Sequence, residues 1–235
     1  VELAASLQSA RSVGGDLYDF VLDGDRLWFI VADVSGKGVA AALYMAVAKT
    51  LFRATAQGPV SVADVLARMN RELCRDNDQL MFVTAVVGHL QLSTGEAVLG
   101  DAGHNPFFLG RRDGRLTTVS LSKNIALGVV EDHVFAEQSL ALEPGDALVL
   151  YTDGATDARN PAGDLLGAEQ LERAIASVAT APVESIVSTI VRLVDDFEYT
   201  QTQKVLVRHL KQTHFDRRRV PEAPLYWRQR GDTTF

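Results

Sequence analysis

Residues 26–34 (RLWFIVADV) form a run of aromatic and β-branched side chains entered through Asp23-Gly24-Asp25, which predicts a strand after a turn. Residues 39–57 then carry Leu43, Val47, Thr50, Leu51 and Ala54 at helical spacing, and Gly58-Pro59 ends that helix. A second helix starts at Ser61, with Val62, Val65, Leu66, Met69 and Leu73 marking its apolar face. Residues 81–92 read as a buried strand, which Ser93-Thr94-Gly95-Glu96 turns into a short one at 97–100. Runs of strand length at 106–111, 116–121, 134–142 and 147–152 are bounded by Gly, Asp or Pro, which favours antiparallel pairing over βαβ crossovers. Helical spacing returns after Gly167 in Leu171, Ala174, Ile175 and Val178, and past Pro182 in Ile186, Ile190, Val191, Val194 and Phe197. This order of elements predicts stacked sheets covered by helices.

With 235 residues, 47% of them apolar, the chain can bury one core of ordinary size. The composition changes at Tyr199: residues 199–235 carry eight Lys/Arg against three Asp/Glu, so the preceding part is strongly acidic within a net charge of −7. The expected organisation is therefore a domain over 1–198 and a basic tail over 199–235, read as a solvated or loosely packed extension. The overall charge gives no reason to bind nucleic acid or an anionic membrane, whereas acidic clusters suit divalent cations. Cys74, the single cysteine, excludes an internal disulfide and points to a reducing, cytoplasmic setting; its spacing makes it a helix-end residue. The longest apolar stretch, residues 39–48, is about half of what a bilayer crossing needs. The chain begins at Val1 rather than Met, which suggests a longer protein with its sensor or membrane segment upstream.

Four segments gather Gly, Asp, Ser and His at strand ends: GGDLYD (14–19), ADVSGKG (32–38), DAGHNP (101–106) and YTDG (151–154). Carboxylates at the ends of rigid apolar strands hold hard cations well, and a following glycine lets backbone carbonyls turn to the same ion. Asp-Gly is also an ordinary turn dipeptide, and that reading suffices for Asp23-Gly24 and Asp113-Gly114. Asp33 and Asp153 differ because each closes an apolar run, where a carboxylate is costly to desolvate without a compensating positive charge. Gly36-Lys37-Gly38 does not match a phosphate-binding P-loop, although the helix start at Val39 favours an anion. His104 is open to three roles: general acid, metal ligand or structural hydrogen-bonder. Neither a zinc spacing nor a Gly-x-Ser-x-Gly elbow occurs.

Taken in order, GGDLYD, ADVSGKGVAAAL, MFVTAVVG, AGHNP, ALG and GDALVLYTDGATDA resemble the SpoIIE/RsbU-type branch of the PPM, or type 2C, protein phosphatases over residues 1–197. The resemblance implies an α+β fold, the PP2C-like four-layer α/β/β/α sandwich with two antiparallel central sheets. It implies a site for two Mg²⁺ or Mn²⁺ ions in which Asp33 bridges both, the Val34 carbonyl and Asp153 are further ligands, and Asp16 binds directly or through water. Asp16 and Asp33 are thereby the catalytic carboxylates, and Asp19 is a lesser candidate. The activity implied is hydrolysis of a phosphoserine or phosphothreonine on a regulatory protein of the anti-sigma-factor antagonist type. An upstream sensor or receiver domain would control it through the helices at 39–57 and 61–74, and a homodimer is compatible with it. The family's last-strand Asp-Asp-x-Thr is not matched, because Asp195-Asp196 falls in a helical series and Phe-Glu-Tyr-Thr follows. Residues 205–207 are the one apolar run available as a substitute strand. The competing expectation is thus a catalytically weak or inactive protein-binding module on the same fold.

Overall fold

A computed structural model describes residues 1–8, 14–160 and 162–197, and the backbone of 208–209. In chain order the elements are β1 (Leu17–Asp23), β2 (Arg26–Val34), α1 (Val39–Thr55), α2 (Val62–Cys74), β3 (Val83–Gln91), β4 (Glu96–Ala102), β5 (Phe107–Gly110), β6 (Leu116–Val119), β7 (Gln138–Ala141), β8 (Ala147–Val149), a 3₁₀ turn (Asp153–Ala155), α3 (Gly167–Ala176), α4 (Val183–Asp196) and β9 (Arg208–His209). They fall into two compact units.

The first unit comprises the described residues of Ser12–Pro106 and Val119–Leu142. It holds a five-stranded sheet in the order β1-β2-β3-β4-β7, antiparallel throughout. Trp28, Ile30, Ala32 and Val34 of β2 join a core with α1 and α2, while Leu27, Phe29 and Val31 on the opposite face are buried as well. Burial on both faces is why this strand reads as a continuous apolar run rather than an alternating one.

Helix α2 follows its sequence pattern. Val62, Val65, Leu66, Met69 and Leu73 are all buried, the Ser61 hydroxyl caps the first turn by accepting from Asp64 N at 3.0 Å, and Cys74 ends the helix as a half-buried free thiol. Each large side chain so buried contributes about 1.5–3 kcal/mol. Gly100 of β4 lets the helix settle, since a Cβ there would stand 2.6 Å from Leu66 Cδ1.

Helix α1 corrects the expected face. Its buried residues are Ala41, Ala48 and Phe52, whereas Leu43 and Val47 are 65% and 48% exposed. Small alanines let α1 approach the sheet closely, with Phe52 filling the remaining space, so the larger aliphatic side chains are left outside. Strand β7 is also shorter than the expected 134–142. The Asn124 side chain accepts from Ala136 N at 3.1 Å and donates to Ala136 O at 3.3 Å, which removes that residue from the ladder.

The second unit comprises the described residues of Val1–Arg11, Phe107–Thr118 and Glu143–Phe235. Its sheet runs β6-β5-β8-β9, and α3 and α4 contribute Leu171, Ile175, Ile186, Ile190 and Val194 to a core with Phe108, Val149 and Tyr151. Asp195 and Asp196 end α4, in keeping with the helical reading. The expectation for 205–207 lies outside the described residues; of the tail, only Arg208–His209 is described, pairing with β8.

Candidate metal site

The β1–β2 ladder ends at Leu17 with Ala32, and the same register carried past that last pair matches Asp16 to Asp33 and Gly15 to Val34. Gly15 has no room for a side chain. A Cβ there would lie 2.9 Å from the Val34 carbonyl oxygen and 3.1 Å from Val34 Cβ. Directly opposed residues of an antiparallel pair share a face, so both carboxylates stand on the side of the sheet away from α1 and α2. Asp16 is 4% exposed, Asp33 is half-buried and Val34 is buried.

The row continues across the sheet. Asp33 pairs with Thr84 on β3, and the Thr84 hydroxyl donates to Asp33 O at 3.4 Å and lies 3.1 Å from His104 Nδ1. The His104 loop is pinned by Asp101, whose Oδ1 accepts from His104 N at 2.7 Å and whose carbonyl accepts from Asn124 Nδ2 at 2.9 Å. Burial pushes the Asp101 carboxyl above the usual range, against the pull of N–H donors led by that of His104.

Asp19 belongs to the other face. Three positions after Asp16 on a strand of period two, it points toward α1, where it is buried and paired with Arg53. Asp25 and Asp113 lie in turns as expected, and Asp23 closes β1 where the first of those turns begins. Asp25 Oδ2, for instance, accepts from Gln91 Nε2 at 2.7 Å and from Ser93 N at 3.2 Å.

Asp153 lies in the second unit, past the end of β8. It opens the 3₁₀ turn, with its carbonyl accepting from Thr156 N at 2.9 Å and Asp157 N at 2.8 Å, and it is exposed. The desolvation argument therefore does not apply to it, because although Leu150, Tyr151 and Thr152 continue the buried run past Val149, the Asp153 residue itself is exposed.

Among the described residues, no three His, Cys, Asp or Glu side chains gather into a group that could hold a metal ion. What the first unit offers is two carboxylates on one face of the sheet and, beside Gly15, the Val34 carbonyl, all of them hard oxygen. That set, with the space beside Val34 kept open by Gly15, fits Mg²⁺ or Mn²⁺ and suits a soft metal poorly.

Comparison with known proteins places the fold and the family. The structure of the RsbU and RsbW domains of Rv1364c from Mycobacterium tuberculosis superposes with a TM-score of 0.77 at 28% identity, covering 88% of this chain and 60% of that one. The SiaA-PP2C domain of Pseudomonas aeruginosa has the same fold, with a TM-score of 0.75 at 18% identity over 87% of this chain and 83% of its own. The chain thus has the α+β PP2C-like fold, and it is a PPM-type domain. The family model of stage II sporulation protein E (SpoIIE) matches residues 23–204, so the chain belongs to the SpoIIE family. Phosphoserine phosphatase RsbU of Bacillus subtilis is 28% identical over 199 residues, 83% of this chain and 59% of RsbU. The chain spans between a third and three fifths of the length of the curated relatives it matches. Asp33, Val34 and Asp153 lie inside the family match, and Asp16 precedes it.

Proposed function

We propose that this chain is a metal-dependent serine/threonine phosphatase domain that hydrolyses a phosphoserine or phosphothreonine on a regulatory protein. The observation that carries the reading is the opposition of Asp16 and Asp33 beside the Val34 carbonyl at one end of the five-stranded sheet. Membership of the SpoIIE family and the likeness to RsbU support it.

Asp16, Asp33 and the Val34 carbonyl would hold Mg²⁺ or Mn²⁺, two ions in all. When bound, the ions supply a water nucleophile near neutral pH and offset the charge of the phosphoryl oxygens. The chain's own part is placement. The β1–β2 ladder delivers both carboxylates to the same end of the sheet, Gly15 leaves room beside the Val34 carbonyl, and the Thr84 hydroxyl braces the Asp33 backbone. The phosphoprotein is of the anti-sigma-factor antagonist class, the setting is the cytoplasm, and an upstream sensor or receiver domain supplies the signal. No helix among the described residues is long and apolar enough to cross a membrane.

A second reading, a catalytically weak or inactive binding module, is favoured by the position of Asp195 and Asp196 in the last turn of α4. Turnover of p-nitrophenyl phosphate with Mn²⁺ separates the two. Mn²⁺-dependent turnover abolished by Asp33→Ala supports the phosphatase, and absent turnover with retained binding of the phosphoprotein supports the module.

A further inference from the structure

The β2–β3 ladder does not end at its last regular pair, Val34 with Val83. One step beyond, Ser35 N donates to Phe82 O at 2.8 Å, and Phe82 N donates to the Ser35 hydroxyl oxygen at 2.9 Å. The side chain thus takes the acceptor position that a backbone carbonyl has in a regular ladder, at the residue where the chain leaves for Gly36 and its left-handed φ of 89°.

Phe82 is itself held from behind. Asn77 accepts from Met81 N at 2.9 Å and donates to Met81 O at 2.7 Å and to Gly128 O at 3.1 Å, while Val83 exchanges both backbone bonds with Leu127 at 2.9 Å. The Tyr44 hydroxyl of α1 donates to Leu73 O at 2.6 Å and to Met81 O at 3.4 Å. Leu80 and Asp76, neither of them glycine, sit at φ 50° and 54°. Such conformations persist only where the surroundings over-determine them.

A donor carbonyl reorients by rotation of its own peptide plane, and rotation is cheapest next to glycine. The Val34 carbonyl shares its peptide plane with Ser35 N, so the Ser35 N–Phe82 O bond sets its orientation, and the Phe82 N–Ser35 hydroxyl bond closes the same contact just before the chain leaves through Gly36 and Gly38, both left-handed. We propose that Ser35 is a positioning residue for the Asp33–Val34 donor pair, anchored through Phe82 to the segment braced by Asn77. The proposal rests on the metal-dependent reading above. It assigns to Ser35 no contact with substrate.

The test compares the wild-type chain with Ser35→Ala and Ser35→Thr. Mn²⁺ binding is measured by calorimetry, Phe82 amide exchange in EDTA by NMR, and turnover across a Mn²⁺ series. Ser35→Ala is expected to weaken Mn²⁺ binding about 10-fold, the effect of losing a partner that orients a ligand. The Mn²⁺ concentration for half-maximal turnover rises by the same factor, kcat at saturating Mn²⁺ falls far less, and Phe82 exchange accelerates. Ser35→Thr, which keeps the hydroxyl, restores all three. Wild-type Mn²⁺ affinity in Ser35→Ala, or a folded Ser35→Thr that behaves like the alanine variant, overturns the proposal. A wild-type chain that binds no Mn²⁺, with Phe82 exchange still faster in Ser35→Ala, shows instead that the bonds exist but the metal reading has failed, and the positioning role falls with it.

Discussion

Asp19 and Arg53 form a two-point ion pair between β1 and α1, with Nε to Oδ2 at 2.5 Å and Nη2 to Oδ1 at 2.8 Å. The carboxylate is buried and also accepts from Phe20 N at 2.9 Å, whereas the guanidinium side chain is 56% exposed. The two partners are therefore unequal. Arg53→Ala strips the cation from a carboxylate that stays buried, which costs about 2–3 kcal/mol after allowance for the exposed half of the pair. Asp19→Asn leaves an arginine that water can solvate and costs about 1 kcal/mol. Urea denaturation of both variants in EDTA should show this order, and equal losses would contradict it.

The same pair separates a structural aspartate from a proposed metal ligand. Asp16 and Asp19 come from one short motif, yet strand parity sends them to opposite faces. Asp33→Asn and Asp16→Asn should each lower Mn²⁺-dependent turnover by roughly 100-fold or more, since losing a ligand costs at least as much as losing its supporting partner. Asp19→Asn should keep at least about a third of the wild-type rate, because its stability cost of about 1 kcal/mol leaves the folded state dominant. Steady-state kinetics at saturating Mn²⁺ checks the contrast.

His89 gives the fold a dependence on pH that is separate from catalysis. It is packed edge-on against Trp28, with ring centroids 4.8 Å apart, and its pKa is lowered by burial first and by Arg26 second, against Glu137 and Glu96. The unfolded chain takes up this proton near pH 6.5, before the folded chain does. The contribution is therefore fully present above about pH 6.5 and is lost as the pH falls through the lower folded value. His89→Phe keeps an aromatic edge against Trp28 and removes the titration. Between pH 7.5 and pH 5 in EDTA, the wild type should lose more unfolding free energy than the variant does.

Much of this was legible in the sequence where patterns are long. β2 and α2 were, because nine and thirteen residues carry an unbroken signal. β1 was not assigned, since Asp19 interrupts its apolar positions. The buried face of α1 was misread because alanine offers no contrast: Ala41 and Ala48 face the core while Leu43 and Val47 do not. Within the site, Asp16 and Asp33 were legible as motif residues, but their opposition depends on register. Asp153 was legible as a motif residue too, though its exposure was not. Ser35 was legible only as part of its motif, and Asn77 not at all, because their roles depend on Phe82 and Gly128, 47 and 51 residues away along the chain. Antiparallel register was the one signal that could have found Ser35, since β2 and β3 pair throughout at a constant residue sum.

Gly15 offers the sharpest test of how the donors are assembled. A methyl group at this position would meet Val34 O at 2.9 Å, Val34 Cβ at 3.1 Å and Ala41 Cβ at 3.5 Å. Two of those three atoms belong to Val34, and the nearest is backbone, so the strain cannot be relieved by rotating a flexible side chain. The third ties the same spot to α1. Gly15→Ala should therefore cost about 1–3 kcal/mol through overpacking, and it should displace the Val34 carbonyl, the backbone donor of the proposed site. Mn²⁺ affinity would then fall even at a temperature where the variant is fully folded. Gly100→Ala, which crowds α2 through Leu66 and Val62 rather than Val34, serves as the control. It should lose comparable stability while keeping wild-type Mn²⁺ affinity. Calorimetric titration of the two variants decides the matter, and parallel losses of metal affinity in both would show that Gly15 acts through general packing rather than through the carbonyl it faces.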